Sequence, residues 1–209
     1  MRKNLNLDEM AFKHTNYVLS NENLFKNIHY STVQYCNRDL CKRHNDMSKQ
    51  VYAALRPIAK RNKTFLNFGM GPGFFENLIE AYGGYNLESV EWDEQEPNFR
   101  IIREHLDISI NGKYICNDIN LDNFNILNCN KRYDYVLLIR FFPLNVKHAD
   151  LNKVKNILNK LKKYADKAII LDNLEGNYNK DVIDYFNSIS DKDYIKLDSR
   201  LTEYCILNL

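Results

Sequence analysis

The stretch FLNFGMGPGFF, residues 65–75, decides the fold. Its first apolar run ends in three glycines at alternate positions, Gly69, Gly71 and Gly73, and a second apolar run resumes at Phe74. The chain has only seven glycines, so three of them so close together call for a specific explanation. Because glycine accepts positive φ and lets a ligand approach the backbone, we interpret the stretch as a strand, a ligand-binding turn and the start of a helix. The alternative is a tight strand–helix turn without a ligand.

Strand-like and helical patterns alternate after this stretch. The strand candidates SVEW, YDYVLLIRFF and KAIILDN are separated by helical patterns such as LNKVKNILNKLKKYA. Such alternation predicts right-handed crossovers and a mostly parallel sheet covered on both faces. The last two strand-like runs, DYIKLDS and TEYCILNL, are joined by a turn too short for a crossover and must pair antiparallel. We therefore predict an α/β fold with a seven-stranded, mostly parallel sheet that ends in an antiparallel hairpin.

The composition is that of a soluble globular chain. Of its 209 residues, 44% are hydrophobic and 27% charged, and the net charge of +2 is too small to indicate a nucleic-acid partner by itself. The N-terminal segment has no apolar run typical of a signal peptide, and no run is long enough to span a membrane. The five cysteines show no CxxC spacing, which favours reduced thiols. We predict a cytoplasmic protein.

The first part of the chain differs from the rest. Residues 1–62 contain no strand-like run, but NYVLSNENLFKNI and NDMSKQVYAALRPIAK have helical patterns. No linker rich in glycine, proline or serine separates this part from the alternating strands and helices. We predict a helical cap over residues 1–62, packed as a substrate lid on a main domain at residues 63–209.

The glycine spacing identifies a family resemblance. The dinucleotide fingerprint G-x-G-x-x-G would need a third glycine where Phe74 stands, whereas this chain has G-x-G-x-G. That loop resembles motif I of the class I S-adenosylmethionine-dependent methyltransferases. Acidic residues after the second and third strands and the terminal hairpin extend the resemblance over residues 63–209. It implies a Rossmann-like sheet, S-adenosylmethionine as cofactor and methyl transfer as the activity.

The resemblance also implies a cofactor site at the ends of the first three strands. Glu91 stands where the family has the carboxylate that holds the ribose hydroxyls, and Trp92 would lie against the adenine ring. The two acidic residues after Trp92 are alternatives for the ribose role. Asp118 would accept a hydrogen bond from the adenine amino group, beside Ile119. The residues assigned to the cofactor are Asn67, Gly69, Gly71, Gly73, Glu91, Trp92, Asp118 and Ile119.

Asn67 departs from the family pattern. The family often has an acidic residue two positions before the first glycine, near the methionine amine, where this chain has an amide. An amide oxygen accepts a hydrogen bond from an ammonium group but lacks the full charge. Three consequences stay open: weaker cofactor binding, compensation by a backbone carbonyl, or a derivative such as the decarboxylated cofactor that the aminopropyltransferases use. Their acidic substrate motif is not visible, because the chain has IRFFPL after the fourth strand.

The acceptor is expected beyond the fourth strand, because in-line methyl displacement depends mainly on alignment with the sulfonium. Arg140 stands there and would bind a substrate carboxylate or phosphate, or the carboxylate of the cofactor. A salt bridge to a loop carboxylate is the alternative. His29 and Tyr30 of the cap are candidates for a general base or a substrate contact. We assign catalysis to Arg140, His29 and Tyr30.

Other residues near this point have both a functional and a structural interpretation. Phe141 and Phe142 are either an aromatic wall for a ring or ordinary core packing. Asp172 and Asn173 end the fifth parallel strand and would reach the same crevice, whereas Asp134 at the start of the fourth strand is interpreted as structural. The cysteines and histidines of the cap fit no standard zinc pattern, so we assign no metal.

Three functions are compatible with these residues. The compact, nearly neutral chain without a nucleic-acid methyltransferase motif favours a small-molecule acceptor. An RNA methyltransferase that docks phosphates through the basic excess at residues 42–63 is the first alternative. A non-catalytic module that binds an adenosyl ligand and acts with a partner is the second. A nicotinamide oxidoreductase is disfavoured by Phe74.

Overall fold

A computed structural model describes the fold. The residues that it describes are 38–56, 62–71, 86–92, 113–116, 125–127, 129–142, 150–191, 195–196 and 203–209, together with 16, 20, 58, 73, 75, 76, 79, 99, 100, 103 and 104.

A mixed sheet forms the centre of the molecule. Within the described residues its strands are β1 (Thr64–Phe68), β2 (Asn86–Trp92), β3 (Lys113–Cys116), β4 (Ile126–Leu127), β5 (Tyr133–Ile139), β6 (Ala165–Asp172), β7 (Ile195–Lys196) and β8 (Glu203–Asn208). Their order is β4-β3-β2-β1-β5-β6-β8-β7. Strands β3, β2, β1, β5 and β6 are parallel, whereas β8 runs antiparallel to both β6 and β7. The prediction of an α/β fold with a mostly parallel sheet and an antiparallel C-terminal hairpin is confirmed.

The sheet has one strand more than predicted. Within the described residues there are eight strands instead of seven, because the two-residue strand β4 pairs antiparallel with β3 at the edge of the sheet. Such a short strand has no period of its own in the sequence. It is stabilised by tertiary contact: Ile126 is buried, and its backbone N–H donates to the Tyr164 hydroxyl at 3.3 Å.

Four helices are described along their length. They are α1 (Arg38–Leu55), α2 (Leu151–Leu161), α3 (Leu174–Asn177) and α4 (Lys180–Ile189). Residues 75, 76, 79, 99, 100, 103 and 104 are also helical. None of the helices in the described part of the chain has the length and apolarity that crossing a membrane requires.

Helix α2 illustrates how the sequence specifies an element. Asp150 precedes it, and the carboxylate accepts from the backbone N–H groups of Asn152 and Lys153 at 2.7 and 3.3 Å, which is an N-cap. The apolar residues at helical spacing in this part of the sequence are the ones that α2 buries in the core: Val154, Ile157, Leu158 and Leu161.

The two faces of the sheet have separate cores. Alternation along β1 directs Leu66 and Phe68 into a cluster with α2 and α4, and Phe65 into a cluster with α1. Helix α1 contributes Val51 and Leu55 to that second cluster. The sheet is therefore covered on both faces, and α1 forms part of this covering. The division of the chain into a cap at residues 1–62 and a domain at 63–209 stays a prediction.

The sheet order places a crevice at the end of β1. Chain connections leave β1 towards β2 on one side, whereas β5 lies on its other side. In open α/β sheets ligands bind at such a switch point, outside the carboxyl ends of the strands. The glycine loop follows β1 directly and lies at this point.

Candidate cofactor site

All three glycines of the loop have left-handed backbone conformations. Gly69, Gly71 and Gly73 have φ values of 79°, 54° and 82°. The loop is tied to the end of β2, because the N–H of Gly69 donates to the Val90 carbonyl at 2.9 Å. Within the part of the chain that the structure describes, a Cβ added at Gly69 would meet no atom within 4 Å, so the loop borders open space there. The conformation explains the glycines, and the open space is a cradle that fits a ligand held against the backbone.

Gly71 is held from two sides by charged side chains. Its N–H donates to Glu91 Oε2 at 2.6 Å, and its carbonyl accepts from Arg103 Nη1 at 2.7 Å. Both side chains are buried, with Glu91 4% and Arg103 5% exposed. The loop is therefore fixed in advance of any ligand by groups from β2 and from the helical residues after it.

The structure places Glu91 at the carboxyl end of β2 beside the loop, in agreement with its position in the sequence. One oxygen of its carboxylate is engaged by the Gly71 N–H. Its role as the ribose contact stays a prediction, and the carboxylate has a second role that the sequence does not indicate, which is to hold the loop.

Arg103 is a residue of the site that sequence reasoning missed. It belongs to the helical pattern PNFRIIREHL and lies four residues after Phe99, on the same face. Phe99 is buried as well, whereas Arg100 is exposed. An arginine that shares a helix face with a phenylalanine was the available signal.

A second buried polar group lies beneath the loop. Asn67 of β1 donates through Nδ2 to Glu76 Oε1 at 2.7 Å, and Ser89 of β2 donates through Oγ to the same oxygen at 2.7 Å. All three side chains are buried. Burial raises the pKa of the Glu76 carboxyl, which the two hydrogen bonds and the Arg103 charge only partly oppose. Glu76 and Ser89 do not stand out in the sequence, because a polar residue in a helical or strand pattern is ordinarily solvent-exposed.

Arg140 follows β5 in a strained conformation. Its φ is 48°, the only positive value among the described residues that are not glycine, and its N–H donates to the Leu171 carbonyl at 2.9 Å. Among the described residues, no carboxylate forms an ion pair with its half-buried guanidinium. Residues in sparsely populated backbone conformations cluster at functional sites. Its position at the carboxyl end of β5 and its left-handed backbone both make Arg140 a candidate functional residue.

The neighbouring residues of the crevice are engaged in the core. Phe141 and Phe142 are buried and pack edge-to-face at 5.4 Å, so the core-packing interpretation holds for both. Asp172 accepts from Asn177 Nδ2 at 2.7 Å and from the Tyr178 hydroxyl at 2.8 Å. Burial first, and then the Asp172 charge, raises the pKa of Tyr178. Asp172 thus anchors the segment that contains α3 and leads into α4.

Several predicted residues lie outside what the structure describes. His29, Tyr30, Asp118 and Ile119 are outside the described residues. Trp92 ends β2, and its backbone is in register with Cys116 at the end of β3. The contacts predicted for these side chains stay predictions.

Solved structures with a similar fold include proteins named as methyltransferases. No family model and no curated protein matches the chain. Among solved structures, the pyocyanin biosynthetic protein PhzM is 13% identical with a TM-score of 0.61, and the match covers 97% of this chain and 69% of that one. The magnesium protoporphyrin IX methyltransferase ChlM of Synechocystis PCC 6803, solved with bound SAM, is 14% identical with a TM-score of 0.53, covering 99% and 98%. A methyltransferase of Pyrococcus furiosus is 13% identical with a TM-score of 0.53, covering 77% and 81%.

The chain therefore has the Rossmann-like fold of the class I S-adenosylmethionine-dependent methyltransferases, in agreement with the resemblance of its glycine loop. Identities this low support the fold alone.

Proposed function

We propose that this chain transfers a methyl group from S-adenosylmethionine to a small-molecule acceptor. The observation that carries the proposal is the glycine loop at the switch point of the sheet. Its three glycines have left-handed conformations, the exposed Gly69 borders open space, and Glu91 and Arg103 hold the buried Gly71 in place. Preorganised loops of this kind bind ligands without an ordering cost at the moment of binding.

The residues of the loop and of β2 would hold the cofactor. Gly69, Gly71 and Gly73 would lie against its amino-acid part, and Glu91 would accept from the ribose hydroxyls. Trp92, Asp118 and Ile119 would enclose the adenine. Bound S-adenosylmethionine would supply an electrophilic methyl group on its sulfonium. The task of the protein is then to align an acceptor with that group and to exclude water.

Arg140 would position the acceptor. It stands at the carboxyl end of β5, next to β1 in the sheet, with its backbone in a left-handed conformation. A guanidinium binds carboxylates and phosphates through paired hydrogen bonds, so we propose an anionic acceptor. His29 and Tyr30 of the N-terminal segment are the proposed proton acceptor and acceptor contact.

A small-molecule acceptor is supported by two observations. The chain carries a net charge of only +2, whereas a nucleic-acid acceptor favours a strongly basic surface. The structural neighbour ChlM is named as a methyltransferase of magnesium protoporphyrin IX, which is a small molecule.

Calorimetric titration tests the proposal. The purified protein is titrated with S-adenosylmethionine, S-adenosylhomocysteine and NAD in parallel. We expect both adenosyl ligands to bind with dissociation constants of about 1–100 μM, a range typical of working cofactors, and NAD not to bind. Absence of binding by both adenosyl ligands would contradict the proposal. Binding of NAD alone would direct the assignment to an oxidoreductase.

A further inference from the structure

The buried group beneath the glycine loop contains two polar atoms that have no hydrogen-bond partner in the described part of the chain. Asn67, Glu76 and Ser89 come from β1, from the helix after the loop and from β2. Glu76 Oε1 accepts two hydrogen bonds, one from Asn67 Nδ2 and one from Ser89 Oγ. The other oxygen of each planar group, Asn67 Oδ1 and Glu76 Oε2, is buried and has no hydrogen-bond partner among the residues that the structure describes.

An ionised Glu76 would leave both atoms unsatisfied. A carboxylate oxygen and an amide oxygen are both acceptors, so neither helps the other. Each buried polar atom without a partner lowers the stability of the fold, and an unpaired buried charge lowers it further. The positive charge of Arg103 opposes the rise in the pKa of Glu76. The Arg103 guanidinium, however, already donates to the carbonyl of Gly71.

One proton removes the conflict. A carboxylic acid is a donor at its protonated oxygen and an acceptor at the other. Asn67 already donates to Glu76 Oε1, so a proton on Oε2 would complete a ring of two hydrogen bonds with Asn67 Oδ1 as the second acceptor. Acid and amide are complementary in this way, whereas two carboxylates would repel each other.

We propose that Glu76 is a neutral carboxylic acid that donates its proton to Asn67, and that this acid–amide pair is the positioning element of the glycine loop. Asn67 lies in β1 just before the first glycine, and Glu76 lies in the helix that begins just after the last one. The pair therefore joins both ends of the loop. The amide at position 67 is then a requirement of Glu76, because a carboxylate at 67 would have no donor to offer. The positioning role rests on the proposed function, whereas the protonation of Glu76 does not.

Burial of the pair favours the neutral acid. It raises the pKa of Glu76, whereas the hydrogen bonds from Ser89, Asn67 and the backbone of Glu76 and the charge of Arg103 act against the shift. The buried position of Glu76 therefore favours its uncharged form.

The test compares Glu76→Gln with Glu76→Ala. Glutamine keeps the acceptor for Asn67 and Ser89 and supplies an N–H in place of the acid proton. We expect Glu76→Gln to keep the affinity for S-adenosylmethionine within about threefold, and Glu76→Ala to lose more than about tenfold. A raised pKa means that the native carboxyl holds its proton where the unfolded one does not, so the wild type loses stability as pH rises above the ordinary glutamate pKa. The thermal unfolding midpoint of Glu76→Gln, relative to that of the wild type, should therefore increase between about pH 5 and about pH 8.

Infrared spectroscopy without any ligand is the direct readout. The difference spectrum of wild type and Glu76→Gln at neutral pH should contain the carbonyl band of a protonated carboxylic acid. Absence of that band would overturn the proposal. Equal loss of stability in Glu76→Gln and Glu76→Ala at every pH would overturn it as well. Both measurements are independent of the cofactor, so their failure is distinct from failure of the wild type to bind S-adenosylmethionine.

Discussion

The guanidinium of Arg103 donates to the carbonyl oxygen of Gly71 at 2.7 Å, across 32 residues of chain. The peptide N–H of the same glycine donates to Glu91. A loop rich in glycine has high conformational entropy in the unfolded chain, and these two bonds fix it at its centre. The helix after β2 therefore supports the loop after β1.

Replacement of Arg103 by alanine tests this support. The change leaves the Gly71 carbonyl without its buried donor and removes one member of a buried set of charges. We expect a loss of about 1–3 kcal/mol in the free energy of unfolding, the cost of a buried acceptor left without its donor. Affinity for S-adenosylhomocysteine should fall by about tenfold or more. Urea unfolding and calorimetry measure the two effects.

Arg100 provides the matched control. It lies three residues earlier in the same helical segment, its side chain is 59% exposed, and it pairs with Glu104 at 3.9 Å. Exposed pairs of this kind contribute about 0–1 kcal/mol, so Arg100→Ala should leave both stability and affinity nearly unchanged. Equal effects of the two substitutions would contradict the assigned role of Arg103.

Glu91 is expected to be needed for cofactor binding. Glu91→Ala removes the acceptor of the Gly71 N–H and the proposed acceptor of the ribose hydroxyls. Loss of a charged hydrogen-bond acceptor costs about 1.5–3 kcal/mol, which is about ten- to a hundredfold in affinity. Calorimetric titration with S-adenosylhomocysteine measures this loss.

Glu88 on the same strand is the control for Glu91. Its carboxylate accepts from the hydroxyls of Tyr114 and Tyr133 and from Lys131, away from the glycine loop. Glu88→Gln should lower stability without changing the affinity for the cofactor. If Glu91→Ala binds S-adenosylhomocysteine as well as Glu88→Gln does, Glu91 is not a cofactor contact.

Gly69 separates conformational from steric requirements in the loop. Its φ is 79°, yet an added Cβ would meet no atom of the described residues within 4 Å. Gly69→Ala should therefore lose about 1–2 kcal/mol in the free energy of unfolding through backbone strain alone. Gly69→Asn should lose less, because asparagine tolerates the left-handed region better. Equal stability of wild type and Gly69→Ala in urea unfolding would show that the loop adopts another conformation.

The sequence predicts the elements whose signal is local. The three glycines and the apolar spacing within α2 each lie in a short window, and the structure has a loop and a helix there. The terminal hairpin is predictable because its connection is too short for a crossover. Strand β4 is not predictable, since two residues have no period and are positioned by a tertiary contact with Tyr164.

The polar residues of the site depend on contacts that the sequence does not reveal. Glu91 stands out in the sequence because it lies at the end of the second strand, where the family that the glycine loop resembles has an acidic residue. Arg103 and Glu76 lie in helical patterns, where a charged residue is ordinarily solvent-exposed. Their burial results from the packing of the helices after β1 and β2 against the glycine loop. Only the spatial arrangement shows that they are part of the site.

Arg140 should act on the acceptor and not on the cofactor. Two ligands separate these roles: S-adenosylhomocysteine has the amino-acid carboxylate, whereas 5′-methylthioadenosine lacks it. We expect Arg140→Ala to bind both with unchanged affinity and to lose methyl transfer to an anionic acceptor by about ten- to a hundredfold, the cost of a charged hydrogen bond. Selective loss of affinity for S-adenosylhomocysteine would instead assign Arg140 to the carboxylate of the cofactor. Arg132, exposed at the start of β5, provides the control. Arg132→Ala should change neither the affinity for the two ligands nor methyl transfer.

A carboxylate at the N-terminal ends of β1 and β5, opposite the glycine loop, makes a pH-dependent contribution to stability. At the start of β5, Asp134 accepts from Lys63 Nζ at 2.7 Å, from the Thr64 N–H at 2.8 Å and from the Thr64 hydroxyl at 3.0 Å. The hydrogen bond from Lys63 is the main cause that lowers the pKa of Asp134, followed by the backbone N–H of Thr64. These bonds join the starts of the neighbouring strands β1 and β5, which agrees with a structural role for Asp134.

A carboxyl whose pKa is lowered in the native state stabilises the protein above its unfolded pKa of about 3.9. The contribution is lost as pH falls through the lower native value, because the native carboxylate then takes up its proton. Asp134→Asn should accordingly lower the free energy of unfolding at neutral pH by about 1–2 kcal/mol, and its deficit should shrink as the solution is acidified below about pH 4. Asp166, whose side chain is 89% exposed and paired with Arg132, is the control. Asp166→Asn should differ from the wild type by less than about 0.5 kcal/mol. If the loss of stability in Asp134→Asn is independent of pH, then packing, and not charge, holds the N-terminal ends of β1 and β5 together.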